Sequence, residues 1–242
     1  MTLVRSLLVI AIFVFTFSSC KKDDSVQSPA PTERIKTFTE SINSSVFGVN
    51  SVTYNLSYDD QGRLSSMINT ENAGNRFAFT YVQSGFNMDI YSNNSIVIHE
   101  DIFLNNNRID STFQYNDEGD TTSEKYIYNP GNLLVKLNRY LYTDGVSDLD
   151  ETVNYTYDAN GNLLTEISNY TNIEYEYSGS TPDMIQFFPL YYTPSQKMPS
   201  RVIDHSGFTA DHTYTLDSKN RLVSEVIVLN TGDTVTHTFT YE

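Results

Sequence analysis

The chain has 242 residues, 15 Lys and Arg against 30 Asp and Glu, a net charge of −15, one cysteine and no tryptophan. So negative a balance excludes nucleic acid and anionic lipid surfaces as partners of the folded part, because both select positive charge. A single cysteine excludes a disulfide frame, so stability must come from a core, and the length suffices for one large all-β domain.

The chain opens MTLVRSLLVIAIFVFTFSSCKKDD, with one base at Arg5, an apolar run from Leu7 to Phe17, small residues Ser18 and Ser19, then Cys20. This reads as a signal peptide over residues 1–19, too short to span a bilayer comfortably. Phe17-Ser18-Ser19-Cys20 resembles a bacterial lipobox, although Phe17 stands where Leu is usual. The resemblance implies cleavage before Cys20 and a lipid, palmitate included, on that residue, which anchors without spanning. Lys21-Lys22-Asp23-Asp24 looks like the leader of Bacteroidetes-type lipoproteins exported to the cell surface. Residues 20–33, polar and Pro-containing, read as a flexible tether.

From about residue 34 the dominant signal has period two. Val52, Tyr54, Leu56 and Tyr58 alternate with Thr53, Asn55 and Ser57; Phe77, Phe79 and Tyr81 do the same, as do Tyr155 and Tyr157, Ile173, Tyr175 and Tyr177, and His237, Phe239 and Tyr241. Such alternation specifies strands with one buried and one wet face. Between them a unit recurs, clearest as Tyr58-Asp59-Asp60-Gln61-Gly62-Arg63-Leu64 and Tyr157-Asp158-Ala159-Asn160-Gly161-Asn162-Leu163. Phe103 to Ile109, Tyr115 to Thr121 and Leu216 to Leu222 are degenerate copies, and Tyr128 to Leu133 reads as a copy one residue shorter with Pro-Gly turn chemistry. Asp suits the first position of a type I turn and Gly or Asn the left-handed position three residues later, closing a hairpin with a bulge. Tyr157 then faces Leu163 on the buried side.

The unit resembles the YD repeat of RHS-type proteins, whose hairpins build curved antiparallel sheets. The whole arrangement, with a late segment LYYTPSQKMPSRV from Leu190 to Val202, is similar to a family of Bacteroidetes lipoproteins of unknown function described as having a porin-like fold. That likeness implies fold and says almost nothing about activity. The RHS toxins carry a separate effector domain, whereas this chain closes on a strand at Tyr241-Glu242.

One stretch, residues 178–207, breaks the rhythm with Pro182, Pro189, Pro194 and Pro199, which do not sit in central strands. Thr181-Pro182-Asp183 suits a helix start, and Pro189 would end that helix after about two turns. The segment reads as a cap over an open end of the sheet. Phe187, Phe188, Tyr191 and Tyr192 are its candidate ligand-binding residues.

Site chemistry is otherwise weakly signalled. Asp158, Asn160 and Asn162 alternate like a calcium loop, but Gly161 and the missing bidentate Glu break the spacing. The acidic loop from Asp144 to Glu151 is spaced no better. His99, His205, His212 and His237 form no zinc motif. Asp204-His205 and Asp211-His212 lack a nucleophile elbow, and neighbours on a strand face opposite ways. No metal, cofactor or catalytic set is expected. Tyrosines could stack on sugars, yet most are accounted for by the buried faces of strands.

The expectation is an all-β, antiparallel meander of YD-type hairpins, on the order of a dozen or more strands curled into an open or closed barrel-like sheet. The expected role is that of a lipid-anchored protein of the outer membrane, on the cell surface or the periplasmic face, binding or structural rather than catalytic, with a protein or polysaccharide as its partner. A glycan- or envelope-directed hydrolase is the competing reading and calls for acids or histidines converging in a pocket. A small transmembrane β-barrel is the third, against which the lipid anchor and the uneven strands stand.

Overall fold

The computed structural model describes residues 34–116, 121–143, 146–179, 181–183 and 195–242. The described chain forms sixteen strands: β1 (Ile35–Ser44), β2 (Gly48–Tyr58), β3 (Leu64–Asn69), β4 (Arg76–Val82), β5 (Gly85–Ser92), β6 (Ser95–Asn105), β7 (Arg108–Asn116) and β8 (Thr121–Tyr128), followed by β9 (Leu134–Thr143), β10 (Val146–Tyr157), β11 (Leu163–Ile167), β12 (Asn172–Glu176), β13 (Arg201–Asp204), β14 (Phe208–Leu216), β15 (Leu222–Leu229) and β16 (Thr234–Tyr241). Each pairs antiparallel with its sequence neighbour, and β1 pairs with β16, so the meander closes into a barrel. Closure removes the unpaired edges that an open sheet would present.

Partners in register share a face. Phe38 faces Tyr54 and Phe239, Leu56 faces Met67, Phe79 faces Met88, and Tyr126 faces Leu137. These residues are buried or half-buried and line the lumen. The alternate residues face outward and are mostly small and polar. Thr37 and Thr240 join hydroxyls at 2.6 Å, Thr39 and Thr53 at 2.9 Å, Ser41 and Ser51 at 2.9 Å, and Thr156 and Thr165 at 2.6 Å. A barrel crossing a bilayer needs the reverse, a continuous apolar band on its outer wall.

The hairpin unit works as its residues require. The Asp158 carboxylate accepts N–H bonds from Asn160 at 2.8 Å and Asn162 at 2.9 Å, and the Asn162 side-chain amide at 2.8 Å. Gly161 sits at φ 82°, Tyr157 faces Leu163, and the register shifts beside the turn. Gly62, Asn132 and Asn220 take the same left-handed position in the turns after Tyr58, Tyr128 and Leu216. Three copies differ from expectation. Tyr128 pairs with Leu134, so that unit has full length, and Asn132 rather than Gly131 carries the positive φ. Leu104, not Phe103, faces Ile109 across a two-residue turn in which Asn106 and Asn107 both have positive φ, the type I′ signature. Tyr115 does pair with Thr121, but it points outward. An unusual run of three Asn hid a register change of one residue, and one residue is enough to move a side chain across the sheet.

One end of the barrel is dry. Leu134 is 0% exposed, and Ile109, Leu163 and Leu222 are each 1%. Residues of ten strands from β1 to β16, with Met198, form one buried cluster there. Seven tyrosine hydroxyls in this zone donate to main-chain carbonyls, among them Tyr58 to Ile35, Tyr81 to Leu64, Tyr128 to Ile109, Tyr157 to Leu134 and Tyr241 to Leu222, at 2.7–3.0 Å. The residue before the accepting one is often Arg, whose guanidinium lies over the same tyrosine ring: Arg34 on Tyr58, Arg63 on Tyr81, Arg108 on Tyr128 and Arg221 on Tyr241. Each such clasp joins two successive hairpins. The burial pushes the Tyr58 and Tyr241 hydroxyls up to about 12. Backbones also approach closely here, since a Cβ on Gly85 would stand 1.8 Å from the Ile102 carbonyl oxygen.

The Pro-rich stretch meets the barrel at this dry end. Met198 is part of the buried cluster, and the buried Ser195 hydroxyl lies 3.0 Å from that of Tyr177. Residues 201–204 of the stretch are strand β13. Thr181-Pro182-Asp183 is not helical; Asp183 bridges to Lys197 instead. The rest of the expected helix, the candidate residues Phe187, Phe188, Tyr191 and Tyr192, and the leader, Cys20 and tether lie outside the described residues. Among the acids read as a loop, Asp148, Asp150 and Glu151 belong to β10.

Candidate functional site

Above the dry end the inward positions change character. Glu40, Glu100, Glu124, Glu151, Glu166 and Glu225 all take inward phases, with Arg139, His212 and His237 among them. Accessibility rises along the lumen: 18% for the Glu40 side chain, 20% for Glu124, 30% for Arg139, then 41% for Leu141 and 58% for Val146 near the far end. Water therefore enters opposite the sealed end. The described barrel is a cup with an acidic midsection, and such a midsection follows from size, because a barrel this wide cannot be filled by its own side chains.

Two networks organise the midsection. In the first, the Glu225 carboxylate receives His212 Nδ1 and His237 Nδ1, both at 2.8 Å, while His237 Nε2 lies 3.3 Å from Glu40. Burial opposes the Glu225 charge, but the two imidazoles outweigh it and hold the carboxyl down at about 2. Burial likewise opposes a charged His237, and the bonds to Glu225 and Glu40 overcome it, raising the imidazole to about 9. In the second, Arg139 is shared: Nε donates to Glu124 at 2.9 Å and Nη1 to Glu151, which also accepts the Ser168 hydroxyl. Tyr126 donates to Glu124 at 2.7 Å.

Two carboxyls stand beside the glutamates of this second network without a guanidinium of their own. Glu100 is raised to about 7, first by burial and then by the charge of Glu124; the Thr112 hydroxyl pulls the other way. Glu166 is also raised to about 7, by burial and by Glu151, against the Tyr175 hydroxyl bonded at 3.1 Å. The lumen thus juxtaposes carboxyls protonated near neutrality with neighbours ion-paired to Arg139. Such a pairing of environments can donate and accept protons, or hold a polar ligand through hydroxyls and carboxyls.

As adjacency on a strand implies, the acid–His neighbours do not act together. His212 turns inward to Glu225 while Asp211 faces Arg201 outside, and His205 approaches Glu174 at 3.4 Å on the outer wall. The luminal glutamates were missed, although a signal existed. Glu40 sits between Phe38 and Ile42, and Glu100 between Ile98 and Ile102, each at the apolar phase of its strand. A charge at that phase marks a lumen.

No family model matches the sequence, and no curated protein matches it. Solved structures do. The likeness is to porin-like proteins of Bacteroides. A porin-like protein from Bacteroides uniformis shares 17% identity at a TM-score of 0.62, covering 88% of this chain and 98% of its own. One from Bacteroides vulgatus shares 12% at a TM-score of 0.63, covering 87% and 99%. At such identities the match establishes the barrel fold alone.

Proposed function

We propose that this chain is an envelope lipoprotein whose barrel stands in water, held to the outer membrane by a lipid on Cys20, and that it binds a partner rather than conducting solute. The observation that carries this reading is the inverted wall: hydroxyls outside, apolar residues inside. The sealed end argues against a through-channel. Ile35 starts β1 at that same end, so the described chain begins at the dry end. The YD-like hairpins resemble those of Bacteroidetes lipoproteins, a likeness that supports cell-surface exposure with a protein or polysaccharide partner.

Residues 20–242 carrying Cys20→Ala are expected to fold to a monodisperse β-rich species in buffer without detergent. A requirement for detergent micelles would sink the water-facing barrel. In cells, the wild-type chain is expected to incorporate labelled palmitate and the Cys20→Ala variant not to; label retained by that variant defeats the anchor.

A second reading has its own observation, the luminal carboxyls near 7 beside ion-paired ones. It is a hydrolase in which Glu166 or Glu100 protonates the leaving oxygen of a glycan and a neighbouring glutamate activates water. New reducing ends from envelope glycans at pH 6–7, lost in Glu166→Gln or Glu100→Gln, would favour it. Binding ranks first because each of the six luminal glutamates already has a hydrogen-bond or ionic partner within the protein.

A further inference from the structure

The outer wall is small and hydroxylated except in one sector. On β6, β7 and β9 the outward positions carry Phe103, Phe113, Tyr115, Tyr140 and Tyr142, and on β8, between them, Thr121, Ser123 and Lys125. Large rings thus flank a row of short side chains, which leaves a groove of about 390 Å³ along the barrel wall. Phe113 and Tyr142 meet edge-to-face at 5.4 Å across β8. The Tyr142 hydroxyl is held by Ser123 and Ser147, bonds that lower its pKa, and the residue as a whole is half-buried against its neighbours. These rings bury no core, so packing within the barrel does not explain them; elsewhere on the wall, apolar residues stand singly or in pairs, as Tyr91 with Ile96, which is ordinary.

We infer that this groove binds an uncharged polysaccharide chain, its sugar rings stacked on Tyr140, Tyr142, Phe113 and Phe103 and its hydroxyls bonded to Ser111, Ser123 and Ser147. Sugar faces are apolar and sugar edges are hydroxylated, which is the alternation the groove presents in reverse. Charge selects the neutral polymer. Lys125 is neutralised by its ion pair to Asp110, so the groove offers no net cation for an acidic chain, and the −15 of the whole molecule repels one. Size suits a small ligand or a short run of a polymer: a groove of about 390 Å³ is in the range of small-ligand sites. Anchoring of the outward-facing Tyr142 ring before any ligand arrives lowers the entropy cost of stacking.

The inference builds on the water-facing wall proposed above, and the test separates the two. Residues 20–242 with Cys20→Ala are run through native gels cast with soluble neutral α-glucan, β-glucan, xylan or mannan, and bound in solution by titration calorimetry. Retardation by at least one polymer is expected, with affinity falling at least tenfold in Tyr140→Ala/Tyr142→Ala and several-fold in Phe113→Ala. Thr53→Ala, on the outer face of β2 away from the groove, is expected to bind as the parent does, and melting curves verify that the variants fold. A soluble parent retarded by none of the four overturns the groove while leaving the water-facing barrel intact. Binding that survives the double tyrosine change overturns it as well, as does a concentration-dependent dimer that the same change dissolves.

Discussion

Replacing Arg139 by Met is expected to cost about 3–5 kcal/mol of stability at pH 8 in chemical denaturation. The guanidinium neutralises both Glu124 and Glu151, and the Glu151 side chain is only 4% exposed, so its charge cannot fall back on solvent. The stem of Met fills much of the space left by the aliphatic part of Arg, so lost packing is a minor share. The cost should shrink markedly at pH 5, where orphaned carboxyls take up protons. Arg139→Met/Glu124→Gln/Glu151→Gln should recover most of it, because the triple change removes the charges together with their partner. An equal loss at both pH values, with no recovery in the triple variant, would mean that Arg139 acts only through packing.

The fold was legible because the alternation and the turns agree. Inward phases read from Val52 to Tyr58, Phe77 to Tyr81 and His237 to Tyr241 hold in the barrel. Asp158, Gly161, Tyr157 and Leu163 occupy the places that hairpin chemistry assigns them. Whether the sheet closed was not legible, since closure is a contact between residues about 200 positions apart, such as Thr37 and Thr240, with no local signature. The site was hidden for the same reason. Glu225 reaches His212 on β14 and His237 on β16, and Glu40 joins them only across the β1–β16 seam. Sequence spacing therefore carries no trace of the cluster. The Asp-His neighbours that drew notice were adjacent along the chain, and adjacency on a strand sends side chains to opposite walls. Tyr115, Tyr140 and Tyr142 were likewise absorbed into the expectation of buried tyrosines, when their phase puts them outside.

Stability against pH is expected to peak near pH 4.5–5 and to fall in two stages above it. Between about 4.5 and 7, Glu100 and Glu166 bind protons in the folded protein that the unfolded chain has already released. The slope of unfolding free energy with pH is then negative, and the distance from 4.5 to about 7 converts to roughly 3 kcal/mol for each carboxyl at most. From about 6.5 to 9 a second decline follows, because folded His237 keeps a proton that its unfolded counterpart loses. Below the peak the sign reverses: Glu225 stays ionised down to about 2, and its contribution is lost as pH falls from 4.5 through that value. General repulsion in so acidic a chain also grows with pH, but that part is screened by salt and touches every carboxylate. The buried pair is screened far less. Urea unfolding at pH 3, 5, 7 and 9 in 0.5 M salt should therefore retain the decline in the parent. Glu100→Gln/Glu166→Gln should flatten the stage between 5 and 7 and leave the later one in place, whereas His237→Gln should remove the later one. A double Gln variant that still loses the parent's full increment between pH 5 and 7 would show that these two carboxyls are not what makes the lumen sensitive to pH.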